Sequence, residues 1–213
     1  MAQTDTRAGV PGRGRLLAGL VLGVSLLLPG LAAAGAGPRQ VVKTTADQVL
    51  QALTQHAGNH HPGELYQLVD RIVIPHMDFQ RMSRWVLGRY WRRATPDQRT
   101  RFVRGFRNLL VRTYTTALAQ YHGQTIDYEP VNLSGGARDV TVHTKIRQTG
   151  GPPIPVAYRL HNEHGDWKAY DVIIDGMSLV ANYRSTFAAQ VRRGGVEGLI
   201  RQIAARNQQA GGL

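Results

Sequence analysis

The chain has 213 residues, no cysteine, and 26 lysines and arginines against 14 aspartates and glutamates, a formal net charge of +12. The absence of cysteine excludes a disulfide framework, thiolate metal sites and a cysteine nucleophile, so packing alone must hold the fold. So basic a chain calls for an anionic partner, such as a phospholipid surface or an acidic protein.

The first residues read as an export signal. Arg7, Arg13 and Arg15 precede an apolar run from Leu16 to Leu28, followed by Pro29-Gly30 and a small-residue stretch from Ala32 to Ala36. Gly19, Gly23 and Ser25 interrupt that run, and it falls short of the roughly 20 residues a membrane-spanning helix needs, which disfavours an uncleaved anchor. Cleavage is expected after Ala34 or Ala36, with release into the periplasm; with no cysteine to acylate, a lipoprotein is not expected. Residues 1–36 also carry Asp5, so their removal lowers the charge by two, to +10. Residues 37–213, about 175 in all, suffice for a single domain with a sizeable core.

Within that domain helices are expected over 44–122. Val49, Leu50, Leu53 and Ala57 recur at helical spacing, with Thr45 and Gln48 placed as a capping box and Gly58 as a stop. A second helix should open at Pro62 and carry Leu65, Leu68, Val69, Ile72 and Val73 on one face until Pro75 ends it. Asp78 can cap a third, holding Met82, Trp85 and Val86 before Gly88. Thr95-Pro96-Asp97-Gln98 then supplies an N-cap, a first-turn proline, an early acid and a capping-box glutamine, which predicts a long helix from Pro96 to about Tyr121. Its apolar face holds Phe102, Phe106, Leu109, Leu110 and Leu118, and His122-Gly123 ends it.

The period then drops to two, which predicts an antiparallel sheet over 124–175. Ile126 and Tyr128, then Val140, Val142, Thr144 and Ile146, then Ile154, Val156, Tyr158 and Leu160 alternate with polar neighbours, and a last strand runs from Trp167 to about Ile174. Ser134-Gly135-Gly136, Gly150-Gly151-Pro152-Pro153 and His164-Gly165-Asp166 supply the turns. Helical spacing returns over 177–206 through Leu179, Val180, Tyr183, Phe187 and Val191, pauses near Gly194-Gly195, and resumes at Val196, Leu199, Ile200 and Ile203; the tail from Asn207 looks frayed. Helices, then strands, then helices make an α+β domain with helices covering one face of the sheet.

Three stretches carry a resemblance. The segment Leu87 to Arg99 (LGRYWRRATPDQR) with Phe102, Phe106 and Tyr121-His122-Gly123 resembles the MlaC proteins, also called toluene-tolerance auxiliary proteins. So do Trp167 to Val172 with Asp175-Gly176-Met177-Ser178-Leu179, and Gly195-Val196-Glu197-Gly198-Leu199. The resemblance covers nearly the whole of 37–213 in order. It implies an antiparallel curved sheet of about four to five strands, nuclear-transport-factor-like, wrapped by helices around an apolar cavity for phospholipid tails. It also implies partners: an outer-membrane lipoprotein complex and an inner-membrane ring-shaped lipid-binding protein of an ABC system that maintains outer-membrane lipid asymmetry.

A carrier needs apolar walls, because each buried methylene is worth about 0.8 kcal/mol and two acyl chains of some thirty methylenes roughly 24 kcal/mol. Candidate lining residues are Val142, Ile146, Val156 and Tyr158 on the strands, Phe106, Leu110, Tyr114 and Leu118 on the long helix, and Met82 and Leu87 before it. The plain alternative is that these fill a solid core. From Arg81 to Arg112 ten arginines face only Asp97. Among them Arg89, Arg92, Arg93 and Arg104 are candidates for docking headgroups or an acidic partner, against the alternative of a solvated helix face. The interleaved aromatics at Trp85, Tyr90, Trp91, Phe102 and Phe106 superficially suggest nucleic-acid stacking, but helical spacing buries most of them and the compartment argues against that partner.

No catalytic constellation stands out. Asn59-His60-His61 and the pair His161 and His164 lack a third ligand, so exposed loop histidines are expected and no metal. Ser178 near Asp175 is the best nucleophile candidate, yet it reads as a turn and helix cap. Two functional readings therefore stand: a monomeric, non-catalytic phospholipid carrier without a cofactor, or a periplasmic adaptor that binds protein partners through its basic surface and carries no lipid.

Overall fold

In the computed structural model residues 36–55, 62–118 and 120–209 are described, all within one compact unit that begins at Ala34. Residues 1–35 of the expected export signal, Ala57, the helix stop at Gly58, the His60-His61 pair and the extreme tail lie outside the described residues. Helix α1 spans Pro38–Gln55, so it begins well before the expected capping box. Pro38 presets a helical φ at the first position, and the Gly37 carbonyl accepts from the Val41 N–H at 3.0 Å. Thr45 consequently falls inside the helix, its hydroxyl buried without a partner among the described residues.

Helix α2 (Pro62–Leu68) runs on through a π-helical stretch, Val69–Val73, into a 3-10 turn, Ile74–His76, that contains Pro75. Asp78 then caps α3 (Phe79–Leu87), its Oδ1 accepting from the Arg81 N–H at 2.8 Å. Gly88, at φ +53°, turns the chain into a short helix α4 (Arg89–Arg93) too brief for periodicity to announce. The long helix α5 (Pro96–Leu118) opens on the expected reciprocal box: Gln98 N–H donates to Thr95 Oγ1 at 3.2 Å, and Thr95 N–H to Gln98 Oε1 at 3.1 Å. It stops short of Tyr121.

The sheet is an antiparallel meander in the order β1 (Thr125–Tyr128), β2 (Asp139–Arg147), β3 (Ile154–Glu163), β4 (Asp166–Ile174) and β5 (Met177–Ser178). Strand β5 is an addition to the sequence reading, which placed 177–178 in the last helix. Two tight turns fix its register. His164-Gly165 joins β3 to β4 with φ of +55° and +93°, and Asp175-Gly176 joins β4 to β5 with +49° and +79°. Positive φ at both central residues matches the right-handed twist of the strands, which is why Gly follows a polar residue in each. A register shift between Arg159 and Leu160 bulges β4 at Tyr170 and bends the open sheet into its curve.

The last helix, α6 (Leu179–Gln209), is interrupted at Gly195, where φ +66° and ψ −179° belong to a region only glycine occupies readily. Its two halves pack with α3 and α5 in one apolar cluster built on Met82, Leu87, Phe102, Phe106, Leu110, Phe187, Leu199 and Ile203. A second cluster joins Val42 of α1 to Val142, Leu160, Trp167 and Ala169 of the sheet, and a third joins α1 and α2 through Val49, Leu53, Leu65 and Leu68. The fold is thus α+β, with an open, curved, five-stranded antiparallel sheet and its apolar residues divided among three centres.

Candidate functional site

Strand alternation and register decide which residues share a sheet face. Ile126 pairs with Ile146 and Ile146 with Ile154; Val156 pairs with Ile174, and Tyr158 with Val142 and Val172. All eight point to one face. One end of it, around Val142 and Tyr158, packs against the start of α1 in the second cluster. The other end, formed by Ile126, Ile146, Ile154, Val156, Val172 and Ile174, belongs to none of the three clusters, and all but Val156 are only half-buried. A small domain ordinarily gathers its apolar side chains into one contiguous core. Here an apolar strip of sheet lies outside all three clusters.

The ten candidate lining residues are distributed unevenly over this arrangement. Val142, Ile146, Val156 and Tyr158 share the sheet face. Met82, Leu87, Phe106 and Leu110 sit inside the helical cluster, where the Phe106 ring meets Phe102, Tyr183 and Phe187 at 5.2 to 5.9 Å between centroids. Tyr114 packs at the border of that cluster and Leu118 at the border of the third.

Hydroxyls punctuate the same region. Burial raises the phenol of Tyr158. Burial, with Tyr183 beside it, pushes Tyr114 up to about 12, and burial together with the Asp47 charge does the same to Tyr128. All three are therefore neutral at physiological pH and compatible with apolar surroundings.

The four candidate docking arginines separate into different places. Arg89 and Arg92 line a cleft of about 410 Å³ together with Arg84, Trp85, Gly88, Trp91 and, from α6, Arg184. Arg104 lines a second cleft of about 370 Å³ between α5 and the end of α6, beside Arg101, Arg201 and Asn207. Arg93 is exposed and lines neither of these two. Sequence reading missed Arg184 and Trp85 as members of the first set, because their proximity depends on how α6 folds back.

Ser178 serves as the cap it was read to be. Its hydroxyl donates to Asp171 Oδ2 at 2.7 Å and accepts from the Ala181 N–H at 3.0 Å. His161 lies 3.1 Å from Asp139 Oδ1, while His164 occupies the hairpin turn, and no group of three or more metal-ligating side chains assembles among the described residues. No helix among them is long and apolar enough to cross a membrane.

The fold is an α+β domain with an apolar strip of its sheet outside the three clusters. The model of the MlaC protein family matches residues 43–205, and the chain belongs to that family. It is 30% identical over 191 residues to the toluene tolerance protein ttg2D of Pseudomonas putida, covering 85% of this chain and 88% of that protein. It is 24% identical over 184 residues to the intermembrane phospholipid transport system binding protein MlaC of Haemophilus influenzae, covering 84% and 86%. Among solved structures it resembles a phospholipid-binding protein from Ralstonia solanacearum in complex with a phospholipid, with a TM-score of 0.74, 35% identity, and coverage of 83% of this chain and 99% of that one.

The motifs that carried the resemblance have structural reasons. Trp167, Ala169 and Asp171 are the buried alternates of β4. Gly195 supplies the break in α6, after which Glu197 takes a bidentate bridge from Arg101, both contacts at 2.8 Å, and Leu199 enters the core.

Proposed function

We propose that the chain is a non-catalytic phospholipid carrier of the periplasm, exported by its N-terminal signal and working as a monomer. It receives glycerophospholipid from one membrane complex and delivers it to another, between an outer-membrane lipoprotein complex and an inner-membrane ring-shaped lipid-binding protein of an ABC system. The acyl chains lie against the strip formed by Ile126, Ile146, Ile154, Val156, Val172 and Ile174, with the headgroup left near water. The observation that carries this reading is the strip itself, an apolar sheet surface left out of all three clusters. Support comes also from the likeness to a protein solved in complex with a phospholipid. What aliphatic surface these half-buried side chains leave to water costs about 25 cal/mol per Å², a cost that acyl chains would relieve.

Native mass spectrometry of the exported protein, purified without added lipid, is expected to show the chain's mass increased by bound phospholipid. Organic extraction should recover diacyl species with mixed headgroups, since the tails rather than the headgroup are enclosed. A bare mass throughout would remove the carrier reading and leave the basic adaptor in its place.

A further inference from the structure

The cleft at the α3–α4 corner is a cationic site with no acid among the described residues that line it. Gly88 creates the corner: its N–H donates to the Arg84 carbonyl at 2.9 Å, and its positive φ swings α4 away from the axis of α3. A Cβ at this glycine would lie 3.4 Å from the guanidinium of Arg184, so α6 delivers that charge directly over the turn. Trp91 forms a wall of the cleft and is held in place by its neighbours. Arg84 lies 5.8 Å and Arg99 5.4 Å from its ring centre, and Arg99 Nε donates to its carbonyl at 3.0 Å. Trp85, 50% exposed, stands at the cleft beside it.

What marks this place is that four arginines without a carboxylate partner among the described residues line one cleft. Elsewhere Arg81, Arg101, Arg107, Arg147 and Arg159 each meet a carboxylate. Arg84, Arg89, Arg92 and Arg184 meet none among the described residues, and the side-chain hydrogen bond that Arg89 donates goes to the Tyr90 hydroxyl at 3.1 Å. That bond, with the charges of Arg89 and Arg192, holds Tyr90 below its ordinary pKa. Several like charges in one concavity focus a field that only an incoming anion relieves. Guanidinium forks suit planar carboxylates, and arginine with exposed tryptophan is the pairing that concentrates binding energy at protein interfaces.

We propose that this cleft docks an acidic segment of a partner protein, with two or more carboxylates on Arg84, Arg89, Arg92 and Arg184 and an apolar side chain over Trp85. It deepens the carrier reading, on which it rests for the partner's place at a membrane complex, though peptide binding itself needs no lipid. The test uses the full exported chain and a fluorescein-labelled peptide of alternating glutamate and leucine at about 150 mM salt. Binding is expected, weakened about tenfold by R89E/R92E and several-fold by Trp85→Ala, but by less than about threefold in the charge-matched R138E/R206E. If R89E/R92E fails to give the wild-type circular dichroism, R89Q/R92Q takes its place with the same expected direction.

Equal weakening by both charge reversals, or no binding by wild type, would overturn the proposal. So would vesicles containing about 30 mol% phosphatidylglycerol that bind wild type and lose R89E/R92E while the peptide binds neither; a membrane surface would then be the occupant. Native mass spectra of the same samples separate the two readings. Peptide binding by a lipid-free chain keeps the docking site and removes the carrier, and lipid without peptide binding does the reverse.

Discussion

Asp171 shows how much a single side chain can organise. It is 1% exposed, and its carboxylate accepts from the Val180 N–H at 3.1 Å and the Ser178 hydroxyl at 2.7 Å, with Arg159 at 3.5 Å. One buried charge thus satisfies the free backbone at the start of α6 and ties that helix to the middle of β4. Asp171→Ala strands those donors and is expected to cost about 3 kcal/mol in urea unfolding, while Ser178→Ala should cost about 1 kcal/mol.

Glu197 makes the complementary contribution at the surface, where the Arg101 guanidinium holds its carboxyl down at about 2 from an ordinary 4.5. A depressed acid stabilises the fold fully above its unfolded pKa, and that stabilisation fades as pH falls from 4.5 through about 2. Glu197→Gln should therefore be less stable than wild type at pH 7, with the gap closing across that acid window in thermal melts at successive pH values. A gap independent of pH would show that the bridge contributes through packing alone.

At the scale of elements, the chain relies on caps and breaks whose cost is local. Thr95 and Gln98 close the start of α5 on each other, and Gln98 also reaches Glu197 at 3.4 Å, so the cap of one helix touches the second half of another. Gly195 makes that meeting possible by breaking α6. No heavy atom lies within 4 Å of a Cβ built there, so Gly195→Ala tests conformation without a clash. Its expected cost is roughly 1–3 kcal/mol, read as a lowered midpoint of thermal unfolding. These devices were legible beforehand because cap and turn chemistry acts within a few residues. The box at Thr95, the cap at Asp78 and the hairpin at Gly165 all follow that rule, whereas Asp175-Gly176 was legible as a turn but not as a hairpin. The exception is α1, where Thr45 and Gln48 had the spacing of a box but Pro38 had already begun the helix.

Over the whole molecule, the division of apolar residues into packed and unpacked sets separates the roles of two positions that sequence places in the same class. Phe106 is fully enclosed by other rings, so Phe106→Ala should cost about 3–5 kcal/mol, with bound lipid per folded molecule unchanged. Ile146 is half-buried on the open strip, so Ile146→Ala should cost only about 1 kcal/mol while lowering the lipid signal in native mass spectra. Equal lipid loss in both variants would show that the helical cluster, too, borders the cargo.

The sequence by itself determined the order of helices and strands, the face each turns inward, and most of their boundaries, since periodicity and turn residues act over a few positions. Only the tertiary structure decided what stands opposite each inward face. Arg101 meets Glu197 from 96 positions away, Arg184 closes a cleft begun by Arg84, and Ile146 lies on a strip that belongs to none of the three clusters. Burial periodicity reports that a side chain leaves water; whether a neighbour or a gap receives it depends on chain segments far away along the polymer, and no local pattern encodes their approach.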